Sequence, residues 1–339
     1  MRWALTLLLA LPPCRVVYSQ AIADSQETHA DGPTTIDKAE AVPSPIVALD
    51  LPSAEASQLT QAIAAHDYTG AEKLLLDKIN QDPHSLRAGR LLSLAGRVYF
   101  LNNDYLNAAI AWKKSDAIAP LDPSARFSLA MVYIKMGHPA WARPLLKALA
   151  TSNPKQALYP YWLGRLDYDA QHYDTAVVHF QHALAIDPGM ARAYDNLGLC
   201  YFYQNHNPLA IESYTKAIKL EEKSAHPSAW PHLNMAIALL FMNRLDEAEA
   251  QVREALRLDP RLAQAQYQLG AVLEARDHLD PAVTALREAS RLDVAYAEPH
   301  YALARIYRKQ GQKALAQAEV ETYVRLHAAA HPATDPQVH

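Results

Sequence analysis

The 339-residue chain has two cysteines, Cys14 and Cys200, and only ten glycines. With Cys14 in an N-terminal apolar stretch that is expected to be removed, one thiol is left and no intrachain disulfide framework can form. Cys200 falls within an apolar helical pattern and reads as a small buried hydrophobe, not a reactive thiol. The few glycines form no phosphate-cradling loop, and neither a G-x-S-x-G elbow nor an H-E-x-x-H helix occurs. No catalytic residues are therefore assigned, no enzyme activity is expected and no cofactor is implied. Charge of one sign is not concentrated either. Lys and Arg total 32 against 36 Asp and Glu, for a formal net charge of −4, and no basic face of the kind nucleic acid requires stands out. Beyond the first residues no run is apolar enough for a membrane span. There are 15 histidines. His179 and His182 are one helical turn apart, with His172 nearby, but no neighbouring carboxylate or cysteine completes a metal site.

What the chain does have is a period. Pro120, Pro154 and Pro188 are 34 residues apart, Glu222 continues the phase, and Pro260 and Val294 repeat the step. A fixed period in this range marks a stack of supersecondary units, each unable to bury its apolar face alone. The clearest unit runs over residues 194–218. Leu197, Gly198 and Tyr201 share one helical face, and Ala210, Tyr214 and Ala217 share another. Gly198 and Ala210 are expected to be the pair at which the two helices cross, with Pro208 in the first turn of the second helix. Equivalent residues recur downstream as Met235, Ala236, Ala248 and Val252, then Leu269, Gly270, Ala282 and Leu286, then Leu303, Ala304, Ala316 and Val320. Upstream they are Leu163, Gly164, Ala176 and Phe180, then Leu129, Ala130, Ala142 and Leu146, then Ala95, Gly96, Ala108 and Trp112. Ala71, Leu75 and Pro83 mark a worn unit. The sum is seven clear units and about one more. The period breaks twice, at residues 221–228 and in the connection from Pro83 to Gly89.

These units resemble tetratricopeptide repeats, whose pattern is W-x2-L-G-x2-Y, then A-x3-F, then A and P. The resemblance covers residues 55–327. It implies an all-α fold, an α-solenoid in which antiparallel helix pairs wind into a right-handed superhelix. The first helix of each pair would line the concave side, and the family is overwhelmingly a scaffold for protein partners, often extended peptides.

On that frame the residues facing the groove are those of first helices that point away from the packing stripe. The expected partner-binding set is Tyr161, Trp162, Arg165, Arg192, Asn196, Phe202, Tyr203, Trp230, Asn234, Tyr267, Gln268 and Arg305. The same phases carry Arg90, Arg97, Phe127, Asp195, Phe241, Glu274, Tyr301, Arg308 and Lys309. Aromatics mixed with Arg are what interface hot spots are built from. The rival reading is that many of these rings pack between neighbouring helices. Asn196, Asn234 and Gln268 hold one place in three successive units, and a side-chain amide supplies both donor and acceptor to an extended backbone. This row resembles the asparagine ladder of some peptide-binding members of the family.

The termini carry the remaining expectations. Residues 1–23 read as a secretory signal, with Arg2, an apolar run from Trp3 to Leu11, Pro12 and Pro13, and a small-x-small site at Ala21-Ile22-Ala23. Residues 11–14 have the outline of a lipid-attachment box, which proline directly before Cys14 fits poorly. Residues 24–54, interrupted by Pro33, Pro43, Pro45 and Pro52, read as a flexible tether. Residues 328–339 read as a polar tail. The sequence thus points to an exported scaffold, periplasmic or secreted, that binds a protein or extended peptide. The alternative is a glycan-binding or secretion- and assembly-machine module of the cell envelope. N-terminal sequencing of protein recovered from its own cells is expected to begin between Gln20 and Asp24, and full-length chain in the cytosol would overturn the export reading.

Overall fold

The computed structural model describes residues 51–330. The expected signal segment, most of the expected tether and the chain after Ala330 lie outside the described residues. These contain sixteen α-helices and no strand. In chain order they alternate as the first and second helices of eight repeats. The first four are α1 Ser53–Ala64 with α2 Tyr68–Ile79, α3 Leu86–Leu101 with α4 Tyr105–Ile118, α5 Pro123–Lys135 with α6 Pro139–Ser152, and α7 Leu158–Asp169 with α8 Tyr173–Ile186. The last four are α9 Ala191–Tyr203 with α10 Asn207–Glu221, α11 Trp230–Phe241 with α12 Leu245–Leu258, α13 Ala263–Ala275 with α14 Leu279–Leu292, and α15 Glu298–Lys309 with α16 Lys313–Ala330. The chain divides into two compact units, one ending at Gln171 and one starting at His172. Within each unit every helix packs on the next in sequence. First helices also touch first helices of the following pair, as α9 does α11, α11 does α13 and α13 does α15. This is the all-α solenoid of helix pairs.

The turn inside each pair has one conformation throughout. His66, Asn103, Gly137, Gln171, Asn205, Asn243, Asp277 and Gly311 all have φ between 59° and 76°. The residue after the left-handed one reaches back to the first helix. Asp104 N–H donates to the Tyr99 carbonyl at 2.9 Å, His206 to Tyr201 at 2.8 Å and Gln312 to Tyr307 at 2.8 Å. This is the bond that closes a helix in a Schellman turn, and it satisfies a carbonyl that would otherwise lack a donor. Two positions use glycine. Most of the others use Asn, Asp or His, the residues that tolerate this region best, and Gln171 is the poorest match.

Packing within a pair is small against large. The second-helix alanines Ala71, Ala108, Ala142, Ala176, Ala210, Ala248 and Ala282 are fully buried, and Ala316 nearly so. A Cβ placed on Gly198 would lie 2.5 Å from the Tyr214 ring, one on Gly96 2.7 Å from Trp112, and one on Gly270 2.6 Å from Leu286. Tyr214 thus takes up the space a β-carbon on Gly198 would need, and at Gly270 the carbonyl of Ala282, the equivalent of Ala210, lies 3.3 Å from the same point. Where alanine replaces glycine, the residue 16 places on is aliphatic and never aromatic: Leu146 after Ala130, Val252 after Ala236, Val320 after Ala304.

Polar ties join successive pairs along the outer turns. Gln204 Nε2 donates to Asp174 at 2.6 Å, Gln310 Nε2 to Asp280 at 3.0 Å, and Arg276 pairs with Asp246 at the equivalent place. The two breaks in period have separate structural solutions. The extra residues after Pro83 lengthen α3 at its start, where Ser85 accepts from the Ala88 N–H at 3.1 Å. Those after Glu221 form a turn pinned by the Glu221 carboxylate, which accepts from the Ser228 N–H at 2.9 Å. At the outer limits, α1 begins at Ser53, inside the span read as tether, and α16 runs to Ala330, inside the span read as tail.

Replacing Gly198 with Ala should force the rigid Tyr214 ring aside and cost about 1–3 kcal/mol. Hydrogen exchange should show the loss concentrated in α9–α11, because coupling in such a stack is between neighbours. Protection lost evenly across residues 172–330 would show that coupling is not local.

Candidate functional site

In the unit ending at Gln171, the expected groove aromatics prove to be packing residues. Tyr161 and Trp162, consecutive on α7, are 4% and 9% exposed, with their rings edge-on at 5.8 Å. Phe127 and Tyr159 are likewise buried and in ring contact at 5.7 Å. Arg165 is largely buried, with its guanidinium 3.8 Å from the Asp169 carboxylate one turn on. Burial opposes its charge, but Tyr161, Asp169 and Tyr168 outweigh that and raise its pKa. Asp167, which the sequence reading did not single out, is buried and ion-paired with Arg143 of α6 at 2.8 Å. The expectation that these rings stand exposed for a partner is corrected. A large ring at a groove-facing phase can instead pack on a ring of its own unit, as Phe127 does on Tyr159.

The unit starting at His172 is different in kind. Phe202 and Trp230 are buried, again against expectation, while Arg192, Tyr203 and Tyr267 are half-buried. Tyr203 stacks on Tyr173 of α8 at 5.0 Å, with the ring planes 12° apart, and Tyr267 meets Tyr296 edge-on. Tyr173 was not in the expected set, because it starts a second helix and no single-helix phase reveals it. Phe241, the last residue of α11, is 52% exposed, and its ring meets Phe202 at 5.7 Å almost perpendicularly. Tyr301 on α15 is 41% exposed.

The amide row is present, but its members do different jobs. Asn196 Nδ2 donates to the Arg192 carbonyl of its own helix at 2.8 Å. Asn234 Nδ2 reaches across to α9 and donates to both oxygens of buried Asp195, at 3.0 and 3.1 Å. That carboxylate fixes the amide's orientation, since the flipped amide would set oxygen against oxygen. Asn234 Oδ1 therefore points elsewhere, and it has no donor among the described residues; nor has Gln268 Oε1 on α13. Both residues are nearly inaccessible, at 1% and 4% exposed. Further along, Glu274 on α13 is buried under two cations of α15. Arg305 donates through Nε at 2.8 Å and Nη2 at 2.5 Å, and Lys309 Nζ lies 3.1 Å away. Among the described residues no group of His, Cys, Asp and Glu side chains converges as a metal site would.

An acceptor buried without a donor costs about 1–3 kcal/mol. Gln268→Leu removes one at similar volume, and the isolated protein should become more stable by about 1–2 kcal/mol in urea denaturation. A destabilised variant would mean that the amide is satisfied in the free protein.

Two family models, each described as a tetratricopeptide repeat, match the chain, one over residues 189–261 and the other over 127–191 and 233–296. Together they cover 127–296, half of the chain. A DnaJ homolog subfamily C member 7 homolog of Dictyostelium discoideum is 26% identical over 148 residues, 40% of this chain and 28% of that protein. The chain thus spans under a third of that curated relative's length. Among solved structures, a tetratricopeptide repeat protein from Parabacteroides merdae superposes with a TM-score of 0.60 at 14% identity, over 83% of this chain and all of that one. PilW, a type IV pilus biogenesis factor, gives a TM-score of 0.54 at 21% identity, over 63% of this chain and 95% of that one. At these identities the likeness is one of fold. The helix pairs, the recurrent left-handed turn, the small-on-large crossings and the matched models agree that the chain belongs to the tetratricopeptide repeat family.

Proposed function

We propose that this chain is a scaffold that holds an extended segment of a partner protein on the first-helix face of the 172–330 unit. Tetratricopeptide repeat proteins are generally non-enzymatic scaffolds, and the fold suits protein or peptide partners. The observation that carries the proposal is the pair of donor-less acceptors. Asn234 Oδ1 and Gln268 Oε1 hold the same repeat position on successive first helices and are buried without a donor. Native proteins leave few such groups, and a ligand N–H satisfies them once the side chains covering them swing aside. Main-chain N–H groups recur along any extended peptide, so two acceptors in register suit a backbone whatever its side chains. A glycan would need a row of exposed ring faces, but Trp162, Phe202 and Trp230 are buried, so the peptide reading is preferred. The reading places the scaffold in the cell envelope, on the N-terminal apolar stretch alone.

The test is an arrayed library of short synthetic peptides on the full chain. Binders should lose about tenfold in affinity, roughly 1.4 kcal/mol, toward Gln268→Leu. N-methylating one backbone nitrogen of a binder should cost a similar amount. A library without binders, or binders indifferent to both changes, would refute the proposal.

A further inference from the structure

The ends of the first helices on this face are not uniform. The last two residues are Phe202 and Tyr203 on α9, Leu240 and Phe241 on α11, Glu274 and Ala275 on α13, and Arg308 and Lys309 on α15. Equivalent positions thus change from aromatic to basic along the stack. At the aromatic end, Phe241 is half exposed, with its edge already supported by Phe202. A supported, exposed ring is a ready apolar contact, because little side-chain freedom remains to be lost. At the other end, Arg305 and Lys309 share the Glu274 carboxylate while their side chains stay 43% and 49% exposed. Arg308 is exposed and has no ion-pair partner among the described residues. Three cations thus face one carboxylate, leaving an excess of positive charge on α15. The donor-less oxygen of Asn234 belongs to α11, the helix that ends in Phe241, and that of Gln268 to α13, the first helix before α15.

We infer that the partner segment is amphipathic along its length, with a large apolar side chain that sits on Phe241 and an acidic stretch that reaches Arg308 and Lys309 on α15. This rests on the peptide-binding reading above and adds to it the chemistry of the side chains. The amides hold the backbone without regard to sequence. The ring and the cations choose which sequence is held and which way it lies, since an acid placed over Phe241 would be desolvated without a counter-charge.

The experiment uses the full chain and four labelled synthetic peptides in fluorescence anisotropy. Two join a tryptophan to an acidic stretch, in either chain order. The third replaces the acids with lysines, and the fourth replaces the tryptophan with serine. One of the two tryptophan–acid peptides should bind, at least about tenfold more tightly than the lysine or serine peptide. Arg308→Glu should weaken that peptide about tenfold and favour the lysine one, and because Arg308 makes no ion pair its melting temperature should stay put. Phe241→Ser should remove the advantage of tryptophan over serine. If acidic and basic peptides bind alike and both weaken on Gln268→Leu, the backbone reading stands and this inference is wrong. If binding ignores Gln268→Leu, the backbone reading fails; and if none of the four peptides binds, this inference is wrong, whatever the library shows.

Discussion

A β-carbon on Gly198 would come within 2.5 Å of the Tyr214 ring, and the same crowding recurs at Gly96 over Trp112 and Gly270 over Leu286. This contact sets how close the helices of a pair can come, and much else follows from it. A close crossing needs a sharp return, supplied by the left-handed residue and the carbonyl-capping bond in the turns. Close pairs bury the second-helix alanines completely, so each pair spends its apolar surface on itself and its neighbours. Buried residues of neighbouring helices group together, as those of α11–α13 do in one cluster and those of α13–α16 in another. The far side of the first helices still packs rings such as Phe202 and Trp230, yet it also carries polar groups.

Those polar groups are not loose. Asp167 is held by Arg143, Asp195 by Asn234, and Glu274 by Arg305 and Lys309. In each case a buried carboxylate on a first helix is met by a donor from a different helix. Moving one helix past the other by a turn would strand the charge, and that is costly. The bonds therefore pin register where apolar contacts, being non-directional, do not. Asn234 pins α11 to α9 through its nitrogen, and that bond turns its oxygen away from the Asp195 carboxylate.

The repeat itself was legible in the sequence because its signal is redundant. Leu197, Gly198, Ala210 and Tyr214 recur by class in unit after unit, and eight helix pairs stand where that frame placed them. Even the two breaks in period were visible. What each first-helix residue does on the far side was much less legible. The phase of Asn234 and Gln268 followed from the frame, yet that one would bond Asp195 and that the other's oxygen would meet no donor among the described residues depends on neighbouring repeats. Asn196, at the same place, spends its nitrogen on its own helix. Position within a repeat specifies direction, not partner.

The aromatic rings show the same limit more sharply. Tyr203 and Phe241 hold equivalent positions at the ends of α9 and α11, and one helix read alone would call them alike. Tyr203 is covered because Tyr173, at the start of α8, stacks flat on it. The residue equivalent to Tyr173 in the next repeat is Asn207, which offers no ring, and Phe241 is left half exposed. Exposure at this position is therefore a property of two repeats, decided by the first residue of one second helix against the last residue of the next first helix. Of the twelve residues picked out as a partner-binding face, the rings were chosen by phase alone, and phase cannot see that second residue. The comparison that can see it singles out Phe241, two turns beyond Asn234 on α11.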